Sequence, residues 1–173
     1  MAMPSRGGRP FLYAVALGSN RRGRAGDPPR VLRAALGAIG GVKAASAIIT
    51  TAPLGPSTRR YANMVALVET AETPPELLAR LKAVEHSFGR RPGQRWGARV
   101  LDLDIILWSG GAWAGPGLVV PHAAFRKRHF VLAPLAGIAP GWRDPLSGRT
   151  MRQLASLLAL KRQPTMWRRG MGP

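Results

Sequence analysis

The apolar positions of this chain fall in short runs separated by glycine, proline and arginine, and their spacing changes from run to run. Phe11–Leu17 is almost continuously apolar and stops at Gly18-Ser19-Asn20, which reads as a strand entering a turn. After the basic run Arg21–Arg24, Asp27 followed by Pro28 marks a helix start. Val31, Leu32, Ala35, Leu36 and Ile39 supply that helix's stripe, and Gly40-Gly41 stops it. Val42–Thr51 is small and β-branched and predicts a second strand, Ala52–Arg60 a loop, and Tyr61–Thr70 a third strand. Thr73-Pro74-Pro75-Glu76 is a capping box, with Leu77, Leu78, Leu81, Val84 and Phe88 at helical spacing before Gly89. Val100–Trp108 reads as a strand, Gly110–Gly117 as a loop, Leu118–Val120 as a short strand and Pro121–Arg128 as a basic loop or short helix. Phe130–Leu132 and Pro134-Leu135 read as buried without a defined element. A second capping box, Thr150 with Gln153, opens a last helix over Leu154, Leu157, Leu158 and Leu160. Strands and helices without a repeat or an internal linker predict one α+β domain over residues 11–161. A polar arm (1–10), read as disordered, and a basic tail (162–173) flank it.

At 173 residues and 46% hydrophobic content the chain suits one domain with a real core. It contains no cysteine, which excludes disulfides, thiolate catalysis and cysteine-based zinc sites. No apolar run approaches a membrane span. Phe11–Gly18 is too short for a signal sequence and leads straight into a turn, so the expected location is the cytoplasm. The formal net charge is +18, and only four of the 26 basic residues are lysine. Such a field draws polyanions, which leaves two partner classes open: a nucleotide triphosphate, or nucleic acid. The basic runs lack interleaved aromatic residues and no recognition motif is present, which weakens the second.

The most informative run is Arg95-Trp96-Gly97-Ala98-Arg99-Val100-Leu101-Asp102-Leu103-Asp104-Ile105. Side chains alternate along a strand, so Asp102 and Asp104 share one face, with Cα atoms about 6.5–7 Å apart. Two such carboxylates fit one or two hard cations, or else a salt-bridged face of an amphipathic strand. Arg90, Arg91, Arg95 and Arg99 stand directly upstream. Carboxylates that hold Mg²⁺ beside guanidinium groups that clamp phosphate oxygens are the parts that phosphoryl transfer requires. Neither a P-loop nor a kinase glycine loop is present, so arginines and metal would have to hold the phosphates. Glu85 sits at the edge of its helix stripe, where a carboxylate needs either an ion pair or a hydrogen-bonded ligand. His122 follows a strand and a proline turn and precedes Arg126-Lys127-Arg128. It reads as a catalytic residue or as an ordinary packed or solvated one, and His129 and His86 are weaker candidates. Tyr61, Asn63, Trp96 and Phe130 could build a flat slot with an amide at its edge, or could simply be core.

Taken in order, Leu17-Gly18-Ser19-Asn20, Thr51-Ala52-Pro53-Leu54-Gly55-Pro56, Tyr61-x-Asn63, Glu85 with Gly89-Arg90-Arg91, Arg95–Asp104, Val120-Pro121-His122 and Arg128-x-Phe130-Val131-Leu132-x-Pro134-Leu135 resemble 6-hydroxymethyl-7,8-dihydropterin pyrophosphokinase. The resemblance runs from about residue 12 to about residue 155. It implies a ferredoxin-like βαββαβ core, with a central, mainly antiparallel sheet flanked by helices. It also implies transfer of pyrophosphate from ATP to the pterin hydroxymethyl group, giving AMP, in folate biosynthesis. Asp102 and Asp104 would hold two Mg²⁺ ions, and Arg90, Arg91, Arg99, Arg128 and His122 would contact the phosphates. Thr51, Pro53, Leu54, Tyr61, Asn63, Trp96 and Phe130 would hold the reduced pterin. Trp96 would also serve the ATP side in a closing loop with Arg95, and Glu85 would support the nucleotide. The resemblance implies no specific nucleic acid and no membrane, and leaves the oligomeric state open. The chain departs from the pattern at Ala52, Lys82, Gly117 and Ala123.

Overall fold

A computed structural model describes residues 9–52, 59–89 and 99–162. The elements are β1 (Phe11–Ser19), α1 (Pro28–Ile39), β2 (Val42–Ala45), β3 (Ile49–Thr51), β4 (Tyr61–Thr70), α2 (Pro74–Ser87), β5 (Asp102–Trp108), β6 (Trp113–Gly115), β7 (Leu118–Val120), a 3-10 turn (Phe125–Lys127), α3 (His129–Ile138) and α4 (Met151–Arg162). The main sheet runs β2-β4-β1-β5, with β3 also on β4, and every pairing is antiparallel. With β2 and β3 counted as one interrupted strand, this is the ferredoxin-like order.

Strand alternation sends successive side chains of the central strands to opposite faces. Tyr13, Val15, Leu17, Met64, Ala66, Val68, Leu103 and Ile105 pack against Val31, Leu32, Ala35 and Ile39 of α1 and Leu77, Leu81 and Val84 of α2. On the other face, Ala14, Val65, Leu67, Ile106 and Leu107 pack against Phe125, Val131, Leu132, Leu135, Met151 and Leu154. The sheet is therefore covered on both sides, and each fully buried aliphatic side chain contributes about 1.5–3 kcal/mol. Asp27 caps α1 through a hydrogen bond from Arg30 N–H at 3.0 Å, and Glu76 accepts from Thr73 N–H at 2.7 Å. Between α1 and β2, Gly41 has φ +66°, and a Cβ there would lie 2.4 Å from the Glu69 carbonyl oxygen, so the tight return onto β4 requires glycine.

Three expectations change. Val42–Thr51 is two strands, because Ser46 enters the ladder with its side chain: Ser46 N–H donates to Val65 O, but Val65 N–H donates to the Ser46 hydroxyl at 3.0 Å. A hydroxyl in place of a backbone carbonyl interrupts regular pairing. The segment Gly110–Gly117, expected as loop, contains β6, which pairs with β7 and sets Trp113 edge-on to Trp108 at 6.1 Å. The buried stretch around Phe130 is the helix α3, which carries Pro134 in its interior. Among the described residues, no helix is long and apolar enough to cross a membrane.

Candidate functional site

The register of β4, β1 and β5 assembles the site. Gly18 of β1 lies opposite Asn63 of β4 on one side and opposite Asp102 of β5 on the other, while Ala16 lies opposite Asp104. These positions alternate with Leu17, Met64 and Leu103, which face α1 and α2, so Asn63, Asp102 and Asp104 share the opposite face. Two strand spacings separate Asn63 from Asp102, roughly 9–10 Å. The residue between them has no side chain, and a Cβ on Gly18 would touch Asn63 Oδ1 at 3.4 Å. Asn63 is buried, and its Nδ2 donates to Thr51 Oγ1 at 2.9 Å. Thr51 in turn is the register partner of the half-buried Tyr61. One end of the row is thus an amide with a phenol and a hydroxyl, and the other end is a pair of carboxylates.

Arginines stand beside both carboxylates. Arg99 Nη1 is 2.7 Å from Asp102 Oδ1, and Arg128 Nη1 is 3.8 Å from Asp104 Oδ2. All four side chains are partly exposed, so they remain accessible to a ligand. Arg128 also lies 5.9 Å over the ring of Phe130, at the start of α3. Asn20, buried immediately after β1, fixes Arg99 from behind: its Oδ1 accepts from Arg99 N–H at 2.7 Å, and its own N–H donates to Arg99 O at 3.1 Å. Two hydrogen bonds to one backbone unit set where the guanidinium begins.

His122 belongs to the same cluster. Its N–H donates to the Ile106 carbonyl of β5, and its Nδ1 accepts from Ala124 N–H at 3.1 Å. Burial pushes its pKa down, with Arg128 acting in the same direction; Asp104 and Asp102 oppose this without reversing it. A neutral ring with Nδ1 already accepting carries its proton on Nε2, which makes Nε2–H a donor suited to an anionic oxygen.

Glu85 is fully buried at the outer edge of β5. It accepts from Leu103 N–H at 2.7 Å and pairs with Lys82 Nζ at 2.9 Å. Leu103 lies between the two aspartates, so Glu85 holds the strand that presents them. Sequence periodicity placed Glu85 at the edge of the helix stripe but carried no sign of its partners. Nor did the Gly-Ser-Asn turn signal reveal that Asn20 grips Arg99. Pro53, Leu54, Arg90, Arg91, Arg95 and Trp96 lie outside the described residues.

Among the described residues no three His, Asp or Glu side chains converge on a closed metal cage. Two carboxylates on one strand face fit a cation such as Mg²⁺ that keeps most of its coordination for water and phosphate oxygens. Carboxylates, arginines and a neutral histidine donor, with a buried amide two strands away, are groups suited to the chemistry of a kinase-class transferase. The family model for 7,8-dihydro-6-hydroxymethylpterin-pyrophosphokinase matches residues 14–140, and the chain belongs to that family. It is 40% identical over 146 residues to the 2-amino-4-hydroxy-6-hydroxymethyldihydropteridine pyrophosphokinase of Pseudomonas aeruginosa, covering 81% of this chain and 87% of that protein. It is 44% identical over 100 residues to the Synechocystis protein of the same name, covering 58% of this chain and 51% of that one. In structure it resembles Plasmodium falciparum HPPK-DHPS with a TM-score of 0.72 at 13% identity, over 91% of this chain and 42% of that chain, a likeness of fold.

Proposed function

We propose that this protein is a cytoplasmic enzyme of folate biosynthesis that transfers pyrophosphate from ATP to 6-hydroxymethyl-7,8-dihydropterin. The observation that carries this reading is the row Asn63–Gly18–Asp102, which sets a buried amide about two strands from a carboxylate pair. In the reaction the hydroxymethyl oxygen forms a bond to the β-phosphorus of ATP and the bond from that phosphorus to the α,β-bridging oxygen breaks. AMP leaves, and the hydroxyl proton passes to solvent. Asn63 hydrogen-bonds the pterin edge, aided by Thr51 and by the backbone around Pro53 and Leu54. Tyr61 and Phe130 take the two ring faces, and Trp96 serves both the pterin and the ATP. Asp102 and Asp104 hold two Mg²⁺ ions, which when bound neutralise phosphate charge and polarise the reacting oxygens. Arg99 and Arg128, with Arg90 and Arg91, hold phosphate oxygens as charge moves toward the leaving AMP. His122 donates through Nε2–H, and Glu85 keeps β5 in place on the nucleotide side. The test is to incubate the purified protein with ATP, Mg²⁺ and the reduced hydroxymethylpterin and to resolve the nucleotides. AMP is the expected product; ADP, or no turnover, overturns the reading.

A further inference from the structure

The segment from Pro121 to Arg128 carries three adjacent cations, Arg126, Lys127 and Arg128, which composition alone presents as equivalent. The structure separates them. Arg128 reaches toward Asp104, Lys127 is exposed, and Arg126 turns away from the site into a fully buried carboxylate, Asp144. The pairing is a two-pronged fork: Arg126 Nη2 donates to Asp144 Oδ1 at 2.6 Å and Nε donates to Oδ2 at 2.8 Å. Arg126 also lies 4.6 Å over the ring of Phe125, which is itself fully buried in the core beneath α3 and α4. Both the plane and the tip of this guanidinium are therefore fixed.

Asp144 is held as firmly from its own side. Its N–H donates to Arg149 O and its carbonyl accepts from Gly148 N–H, closing the turn between α3 and α4. Ser147 Oγ donates to Oδ2 at 2.5 Å and Leu146 N–H to Oδ1 at 3.2 Å. Burial alone would raise the pKa of this carboxyl, but its hydrogen bonds to Arg126, Ser147 and Leu146 and the nearby guanidinium charge bring it below the ordinary range.

The held segment is a single 3-10 turn with site residues at both ends. Phe125 N–H donates to the His122 carbonyl, and Arg128 N–H donates to the Phe125 carbonyl. A turn this short has little rigidity of its own, so what grips its middle sets the position of both ends. We infer that Asp144 is a positioning residue for the phosphate-binding side of the site, acting through Arg126 to hold the turn that carries His122 and Arg128. The inference rests on the proposed function for the identity of the ligand; of the proposed pterin contacts, Asn63, Thr51 and Tyr61 lie on strands that the Asp144 contacts do not reach, and Phe130 is held by the packing of α3 in the core.

The experiment compares wild type with Asp144→Asn, which keeps the shape but weakens the fork, and with the milder Ser147→Ala at an exposed residue. ATP affinity in the presence of Mg²⁺ is measured by titration calorimetry, KM for each substrate is measured from AMP release, and melting curves establish that each variant is folded at the assay temperature. Wild-type AMP release tests the reaction itself; the change in ATP affinity relative to wild type tests Asp144. Asp144→Asn is expected to weaken ATP binding and raise the ATP KM about tenfold, with the pterin KM within about twofold of wild type. Ser147→Ala should move ATP binding in the same direction by about threefold, since it removes one hydrogen bond to the Asp144 carboxylate but leaves the Arg126 fork in place. The inference is overturned if the folded variants bind ATP as wild type does, or if affinity for both substrates falls in parallel.

Discussion

Asn63 and Asp102 face the same way from strands on either side of Gly18, and each does work its neighbours cannot. In the proposed reaction, removing either aspartate would take away a ligand for a cation that must be in place as phosphate charge redistributes. Asp102→Ala and Asp104→Ala should each lower turnover roughly 10²-fold or more, in line with the loss of other preorganised charge stabilisers. Asparagine at either site should be almost as poor, because it keeps shape without charge. Melting temperatures should change little, since the repulsion relieved between Asp102 and Asp104 is offset by the loss of a partly exposed pairing with Arg99 or Arg128. Near-normal Mg²⁺-dependent turnover in an alanine variant would refute the metal assignment. Asn20 acts one step back, through the Arg99 backbone. Asn20→Ala leaves Arg99 N–H without its acceptor and should reduce kcat about tenfold through a displaced guanidinium. Asn20→Asp keeps an acceptor and should recover part of that loss, which steady-state kinetics on the pair of variants will show.

At the scale of elements, β5 is both the strand that carries the two aspartates proposed to bind metal and an edge of the main sheet. Exposed strand edges invite foreign pairing and loose register. Here α2 closes the edge with a side chain: Glu85 takes the place of a neighbouring strand's carbonyl for Leu103 N–H, and Lys82 neutralises it. The His122 backbone caps the same edge at Ile106. Glu85→Ala would leave a buried N–H unsatisfied and should cost about 1–3 kcal/mol of stability. Glu85→Gln retains an acceptor for Leu103 and should cost less. Chemical denaturation of the two variants separates these outcomes, and equal losses would mean that the carboxylate's charge, not its hydrogen bond to β5, is what matters.

For the whole molecule, the charge has a structural explanation on its acidic side. All eight acidic residues are engaged: Asp27 caps a helix, Glu76 closes a capping box, and Glu69, Glu72, Glu85, Asp102, Asp104 and Asp144 pair with basic side chains. The net charge of +18 is therefore carried by arginines and lysines in excess of every internal use of acid. Such a field attracts polyanions without reading their sequence. Binding to duplex DNA should be weak and indifferent to sequence, and should fall steeply as salt is raised. A sequence-dependent complex that survives moderate salt would contradict this. Residues 1–9 and 163–173 hold none of the motif residues, so their removal should leave AMP formation largely intact.

Much of this protein could be read from the chain because the signals are local. The helix starts at Asp27 and Thr73 depend on residues within one turn, and the common face of Asp102 and Asp104 follows from strand alternation over three residues. Wherever a side chain substitutes for backbone, or a partner lies far along the chain, local spacing carries no information. The Ser46 hydroxyl divides what reads as one strand, and the core under α3 accepts a helix with proline inside it. The composition offers many arginines as equal candidates. Only packing decides that Arg99 answers to Asn20, 79 residues away, that Arg126 is committed to Asp144, and that Arg128 is left for the site. Sequence by itself determined which chemical groups this protein has and the strand face on which its carboxylates lie. The tertiary structure decided which of those groups meet, because strand register and buried hydrogen bonds are set between segments that are distant in the chain.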